Sequence, residues 1–530
     1  MAKKASKSLR SKRGFASATR RRVLQGAAAG AAAGAVAGVF PASFTRALAK
    51  DDKPAKKPNI LFIFVDQHRP DAYGAAGNPY ITTPNLDRIA REGTRFSTMW
   101  CQGPICRPAR ASLQTGLYPH QHGHRNNTSG PFDPKWPSYV HSLHDAGYAT
   151  AWFGKTHYVD DSPAGEAVYD MRKNADFIRS FGWDVIVEEP SHSSPAISGY
   201  SSDYTENLQS LGLLETYRRE FNATRSKKPG EKLRPIISSV PQEADPTSYV
   251  AARTMEWLKN RDRSKPFLVS FAPVKPHNPY APDPVWGAYY RDRQVLKAAP
   301  GRLQAFDASW AEWLEERYRY SSPDSLSDEL IIEIRRAYYA MVSLIDQKLG
   351  EIIALLEKQG ELDNTWIVYS SDHGDMLGDH LVMGKFVFQF PSVGVPGIIR
   401  PPKAKPKIGV VSEPVGSFDL NPTMLDIAGL PALPNTLARS LLPLMEGKAG
   451  RGVVFSEVSD DDDDIPAFVA VSDGKERLTL DARNRAPVEF CDLVNDPDEG
   501  DNLVKDPARQ KRISDMRNDL ILPFLENKIG

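Results

Sequence analysis

Cysteine is scarce in this chain: 530 residues hold three, Cys101, Cys106 and Cys491. That excludes a disulfide framework, which needs many paired thiols in a short chain. Long apolar runs are also missing, so no segment reads as a typical transmembrane span. Beyond residue 49 there is no basic excess. Residues 1–49 carry ten Lys/Arg and no Asp/Glu, and without them the formal net charge passes from +1 to −9. So acidic a chain lacks the basic face of a nucleic-acid binder, and any anion site in it must be a local basic pocket. No internal repeat is visible. The remainder is ordinary for a soluble globular protein, with 41% hydrophobic and 25% charged residues. The length suits a large core and two domains.

The first 49 residues read as a targeting segment. Thr19-Arg20-Arg21-Arg22-Val23-Leu24-Gln25 resembles a twin-arginine export motif. An Ala/Gly-rich stretch follows from Gly26 to about Phe40, then Arg46 and Ala47-Leu48-Ala49, similar to a signal-peptidase site. This order favours a cleavable signal peptide over a basic tail or a membrane anchor. It predicts passage through the twin-arginine translocase to a periplasmic or secreted location.

Residues 50–57 read as a Lys/Pro/Asp linker. Asn59 to Val65 is a continuous apolar run, as expected of a strand buried on both faces of a parallel sheet. Further strands are expected at Ala149–Phe153, within Pro266–Ala272 and at Thr365–Tyr369. Helices are expected from Thr83-Pro84 to Gly93, from Pro108 to about Thr115, and from Leu330 to Gln359. The last is amphipathic, with Ile334, Tyr338, Met341, Ile345, Leu349, Ile352 and Leu356 at spacings of three and four. The alternation predicts an α/β fold: a large, mostly parallel sheet flanked by helices over residues 58–440. Residues 441–530 are expected to form a smaller α+β domain, with a short antiparallel sheet (AFVAV, ERLTL, PVEFCDL) and a helix from about Pro507.

Chemistry concentrates just after predicted strands, where open α/β sheets bind ligands. Cys106 opens Cys106-Arg107-Pro108-Ala109-Arg110-Ala111-Ser112-Leu113-Gln114-Thr115-Gly116. With Pro108 as first helical residue, Cys106 sits just ahead of a helix N-terminus, beside two arginines, a setting that lowers a thiol pKa and holds anions. A buried, unreactive cysteine is the bland alternative. Asp66 and Gln67 follow the first strand, and Asp372 and His373 follow the fourth. Two carboxylates, an amide oxygen and an imidazole suit a divalent cation with mostly oxygen ligands; the alternatives are a turn cap and a loop hydrogen-bond pair. Lys155-Thr156-His157 and Lys275-Pro276-His277 repeat a K-x-H spacing after the other two strands, and Lys385 follows the Asp372 segment. Lysines and histidines there can meet the oxygens of a sulfate or phosphate ester and move a proton; as bland readings they are surface lysines and loop histidines.

The run C-x-P-x-R-A-S-x-x-T-G, together with Gly154-Lys155-Thr156-His157, Lys275-Pro276-His277 and Asp492-Leu493-Val494-Asn495-Asp496-Pro497, resembles the type I sulfatases of the alkaline phosphatase superfamily, over roughly residues 58–525. The resemblance implies that Cys106 is oxidised to Cα-formylglycine by a formylglycine-generating enzyme, and that the hydrated aldehyde is the nucleophile. It also implies one divalent metal, Ca²⁺ first and Mg²⁺ or Mn²⁺ next, on Asp66, Gln67, residue 106, Asp372 and His373. Lys155, Lys275, Lys385 and His157 would bind ester oxygens, His277 would protonate the leaving alcohol, and Arg110 with Lys155 would hold the formylglycine oxyanion. Many family members have a second aspartate where this chain has Gln67. Glutamine occurs in branches that include phosphonate monoester hydrolases and choline sulfatases, so the substrate class stays open.

Three readings compete: an exported sulfatase acting on a small-molecule or carbohydrate sulfate ester, a phosphonate monoester or phosphodiester hydrolase with the same nucleophile, and a metal- or glycan-binding pseudoenzyme with unconverted Cys106. His120, His122 and His124 are expected in a loop rather than on a metal, and Asp460–Asp464 as a solvated acidic loop. The aromatics of residues 285–320, Trp310 and Trp313 among them, are expected either to rim the pocket or to pack on a neighbouring helix. Nothing in the sequence fixes the oligomeric state.

Overall fold

A computed structural model describes residues 56–160, 168–189, 191, 194–225, 233–236, 238–403, 409–459 and 466–528. The proposed signal peptide, most of the linker and the Asp460–Asp464 run lie outside them. The main sheet has eight strands: β1 (Asn59–Val65), β2 (Thr94–Phe96), β3 (Ala149–Gly154), β4 (Val185–Glu188), β5 (Phe267–Ala272), β6 (Thr365–Ser371), β7 (Gly397–Arg400) and β8 (Val410–Val411). Their spatial order is β8-β2-β7-β6-β1-β5-β3-β4. Only β7 runs against the others.

Every residue of β1 is buried, as its apolar run predicts. Ile60, Phe62 and Phe64 face one layer, which includes Leu113, Leu143 and Met424. Leu61, Ile63 and Val65 face the other. There they meet α1 (Pro84–Glu92), α3 (Pro246–Asn260) and the C-terminal half of α5 (Asp328–Lys358). The seven apolar positions picked out on α5 are all fully buried. Ser327 caps that helix by accepting from the Leu330 amide.

One helix start differs from expectation. Helix α2 spans Cys106–Thr115, so Cys106 is its first residue and not the residue ahead of it. Proline is tolerated anywhere in the first turn because its absent N–H has no helical acceptor there; Pro108 therefore does not mark the start. Gly116 still ends the helix in the left-handed conformation, at φ 71°.

A second sheet holds β9 (Val454–Val458), β10 (Phe468–Ser472), β11 (Glu476–Asp481) and β12 (Pro487–Asp492), antiparallel throughout. Its first strand was not anticipated. The expected C-terminal helix begins at Gln510. The described residues from Lys56 onward cluster as one unit. Packing continues across residue 440: Arg451 pairs with Asp419, and the Glu457 carboxylate accepts from the His120 amide and ring. No helix among the described residues is long and apolar enough to cross a membrane.

Candidate active site

Register brings the chemistry together. Val65 pairs with Ser371, which levels the carboxyl ends of β1 and β6 and sets Asp66 beside Asp372. Gly154 pairs with Ala272. A Cβ at Gly154, whose φ is 111°, would lie 1.9 Å from the Ala272 carbonyl oxygen, so only glycine lets Lys155 follow the strand at this approach. Helix α2 points its N-terminus at the same place. As a result, one ligand atom from each of Asp66, Cys106, Asp372 and His373 lies within 4.8 Å of the others, all buried. Among the described residues this is the one such cluster of His, Cys, Asp and Glu.

Cations surround it. Lys155 Nζ lies 2.7 Å from Asp66 Oδ2. Arg110 donates through Nε to Asp372 Oδ2 at 2.9 Å and through Nη1 to the Lys155 carbonyl at 2.6 Å. Lys385 Nζ is 2.9 Å from both Cys106 Sγ and His373 Nε2, and 3.4 Å from His277 Nε2. Burial alone would raise the Cys106 pKa, but Lys155, Lys385 and His373 outweigh it and hold the thiol well below its ordinary value. His157 also acts to lower the Cys106 pKa. Burial and Cys106 push Asp66 up, yet Lys155, His277 and Arg110 hold it below the usual carboxylate range. Lys385 is raised despite burial, by Cys106, Asp66 and Asp372.

Gln67 is oriented by a residue that carried no sequence-based role. Its Nε2 donates to Asp375 Oδ2 at 2.6 Å, which turns Oε1 toward Lys385 at 3.2 Å and the cluster. Asp375 is held in turn by the Tyr280 hydroxyl and the Leu377 and Gly384 amides. Glu188 is a second such residue. It accepts from the Thr156 and His157 amides, and burial raises its pKa to about 7. Asp375 closes the Ser370–Asp375 motif, and its place there was an available signal. Glu188 offers none, being one carboxylate at the end of a short strand.

Two of the expected side chains point elsewhere. Lys275 Nζ contacts Asp245 Oδ2 and the Ala281 carbonyl, both at 2.5 Å, rather than Cys106. That pairing satisfies a buried ammonium with a carboxylate from the start of α3. Arg107 turns away from Cys106 to the Gly130 and Val159 carbonyls and Asp160. Of the three clustered histidines, His120 and His122 lie on a short helix, Pro119–His122, rather than in a loop, and only His124 follows it. His120 meets Glu457, His122 meets Ser112, and His124 packs on Phe132 and Trp136. All three cysteines are unpaired, so no Cys101–Cys106 bridge forms.

A cleft of about 480 Å³ opens onto this cluster, with Gln67, His277 and Lys385 at its inner end and Trp313, Arg317 and Tyr320 at its wall. A cleft of about 530 Å³ at Arg88, Glu92, Arg400 and Lys403 contains none of these groups, and its charges are largely paired with one another. The aromatic stretch divides between both expected roles. Trp313 reaches the cleft, whereas Trp310 is fully buried against Phe388 and Phe468. Trp310→Ala is therefore expected to lower unfolding stability by about 3–5 kcal/mol, read by urea denaturation. A loss below about 1 kcal/mol would contradict this core placement.

A mostly parallel sheet with acids, cations and Cys106 gathered beyond its strand ends is an α/β architecture with a buried anion-binding site. A family model described as Sulfatase matches residues 58–430, and one described as N-sulphoglucosamine sulphohydrolase, C-terminal, matches 378–523. The chain belongs to the sulfatase family, the sulfuric ester hydrolases. It is 28% identical over 494 residues to an arylsulfatase of Clostridium perfringens, covering 88% of this chain and 94% of that one. It is 29% identical over 472 residues to a choline-sulfatase of Rhizobium meliloti, covering 85% and 83%. Its fold is similar to that of the phosphonate monoester hydrolase of Agrobacterium radiobacter, with a TM-score of 0.72, 24% identity, and 88% and 96% of the two chains covered.

Proposed function

We propose that this protein is an exported sulfatase that hydrolyses an organic sulfate ester to alcohol and sulfate, with Cys106 converted to Cα-formylglycine. The observation that carries the reading is the position of Cys106. It opens a helix with its sulfur among Lys385, His373 and Asp66. The sulfur marks where the oxygens of the hydrated aldehyde would stand. Conversion would replace a thiolate by a neutral group, leaving Lys155, Lys385 and Arg110 opposite only Asp66 and Asp372. That surplus suits an anionic ester.

The donor set fits a hard divalent cation, Ca²⁺ first and Mg²⁺ or Mn²⁺ next. Asp66, Gln67, Asp372, His373 and residue 106 would hold it, and when bound it would act as a Lewis acid on the ester oxygens. Within this reading Lys385 and His157 bind the ester oxygens while one hydroxyl of the aldehyde hydrate attacks sulfur. His277 is held by its Nδ1 contact to the Asn278 carbonyl at 2.6 Å, with Nε2 toward the cleft. A protonated His277 would give its Nε2 proton to the departing alkoxide oxygen. The attacking hydroxyl gives up its proton to water, the second hydroxyl then does the same, the C–O bond to sulfate breaks, the aldehyde returns, and addition of one water restores the hydrate.

Hydrolysis of phosphonate monoesters or phosphodiesters is the second reading. Gln67 is compatible with either reading, because a sulfate monoester, a phosphonate monoester and a phosphodiester each present a single negative charge. Assays of the purified protein on 4-nitrophenyl sulfate, a phenylphosphonate monoester and bis(4-nitrophenyl) phosphate decide between them. The sulfate is expected to show the highest kcat/KM; a preference for either phosphorus ester would overturn the assignment. Export rests on the order of motifs in residues 1–49. Arg20→Lys with Arg21→Lys is expected to leave active enzyme inside the cell, and unimpaired export would count against a twin-arginine route.

A further inference from the structure

Asp375 is fully buried, and each of its carboxylate oxygens accepts two hydrogen bonds from neutral donors. Oδ1 accepts from the Leu377 and Gly384 amides, both at 2.9 Å. Oδ2 accepts from the Tyr280 hydroxyl at 2.9 Å and from Gln67 Nε2 at 2.6 Å. Three of these donors come from separate segments, and each segment carries a group of the site. Gln67 follows β1, Tyr280 lies three residues after His277, and Gly384 precedes Lys385. The last segment is also held from another side, because the Met383 amide donates to the hydroxyl of Ser321, the final residue of helix α4 (Ala308–Ser321). The main chain at Gln67 is fixed as well. Its amide donates to Asp372 Oδ1 at 3.0 Å, and its carbonyl accepts from the Tyr338 hydroxyl at 2.5 Å. Its φ of 68° is one that a non-glycine residue rarely adopts.

We propose that Asp375 is a positioning residue for the cation, acting through Gln67. It fixes the amide with its oxygen toward the cluster that would hold the metal, and it makes an amide rather than a carboxylate the fitting group at residue 67. This rests on the reading that Gln67 is a metal ligand. A carboxylate oxygen that already accepts from Tyr280 can only accept again, so the part of Gln67 that meets it must be the NH₂. Turning the amide over would set Oε1 where Nε2 stands, 2.6 Å from Oδ2, as two acceptors with no proton between them. It would also aim the NH₂ at the cation. A glutamate at residue 67 would bring a second carboxylate against the first, at a depth where like charges repel strongly. Groups that orient metal ligands commonly govern affinity by about 10–100-fold.

Calorimetric titration of the chelator-treated, full-length protein with Ca²⁺, Mg²⁺ and Mn²⁺ tests this, with the urea midpoint as the check on folding. Asp375→Asn is expected to weaken the tightest-bound of the three at least about tenfold, because its Nδ2 meets the Gln67 NH₂ and turns the amide over. Gln67→Glu combined with Asp375→Asn exchanges donor and acceptor between the two positions and keeps the net charge, with the Tyr280 hydroxyl accepting where it donated. That pair is expected to bind within about threefold of the parent. Binding by the pair as weak as by Asp375→Asn alone overturns the proposal, and so does unchanged affinity in Asp375→Asn. An equal loss when Asp375→Asn is made in Gln67→Ala also overturns it, since the charge at residue 375 would then act on the cation directly. If Asp375→Asn does not fold, the cation-free midpoint of Gln67→Glu is compared with that of the pair. Gln67→Glu is expected to have the lower midpoint, from its two facing carboxylates; equal midpoints overturn the proposal. A parent that takes up none of the three cations removes the metal reading itself, whereas a parent that binds, with every variant matching it, removes only this inference.

Discussion

Cys106→Ala is expected to lower kcat on any accepted ester by at least about 10⁴-fold, since a covalent nucleophile has no substitute among its neighbours. Lys155, Lys385, His157 and His373 would remain, but each can only bind, polarise or move a proton. Folding should survive, because alanine removes one sulfur from the first turn of α2 and leaves its backbone hydrogen bonds in place. The unfolding midpoint serves as the control. A folded variant with activity within tenfold of the parent would show that residue 106 is not the nucleophile. Mass spectrometry of the peptide carrying Cys106 then identifies the reacting group. Protein from its native source is expected to carry an aldehyde, CHO in place of CH₂SH, at this position; an intact thiol in active protein would falsify the formylglycine step. The low thiol pKa does not substitute for that measurement, since the cations that depress it would serve an anionic ester equally well.

How much of this was legible in the sequence follows from which contacts are local. Asn59–Val65 announces a doubly buried strand because both faces are apolar, and the residue after such a strand is at a ligand-binding edge wherever the strand sits. Asp66, Asp372 and Lys155 could therefore be placed without any knowledge of the sheet order. Helix α5 was equally plain, being long, strongly periodic and capped. The direction of a side chain beyond its strand was not legible. Lys275 and Lys155 occupy equivalent post-strand loops in like motifs, yet one meets Asp245 and the other Asp66. The difference lies in which carboxylate the neighbouring elements bring within reach. For Lys275 that is the residue capping α3, thirty positions away. Asp375 shows the same limit from the other side. Its motif was visible, but its action on Gln67 spans 308 residues and depends on strands β1 and β6 being adjacent. The cleft wall was half legible: aromatic richness marked the right stretch, while the helical phase that buries Trp310 and exposes Arg317 to the cleft required knowing what α4 packs against.

Lys155→Met is expected to destabilise the cation-free protein by about 3–5 kcal/mol, the cost of stranding one member of a buried ion pair. Asp66 is fully buried, and Lys155 meets it at 2.7 Å with a side chain only 4% exposed. Methionine keeps most of the volume, so the loss reports charge rather than a cavity. Lys528→Met, on the exposed Glu526 pair, is the control and should leave stability unchanged. If Lys155→Met behaves like that control, Asp66 does not depend on Lys155 and the charge balance drawn for the site is wrong. A divalent cation should reverse part of the loss, because the donors around Asp66 that suit it include no residue removed by the substitution. Ca²⁺ at a hundred times its dissociation constant would add about 2.7 kcal/mol by mass action, and the gain is read as a rise in the urea midpoint over chelator-treated protein. Equal midpoints with and without Ca²⁺, Mg²⁺ or Mn²⁺, in both parent and variant, would remove the metal from the proposed mechanism. Stability restored by the cation with turnover still depressed is the expected pairing, because Lys155 neutralises Asp66 in the resting protein and, in the proposed mechanism, also holds the oxyanion on residue 106, a task that requires the ammonium itself.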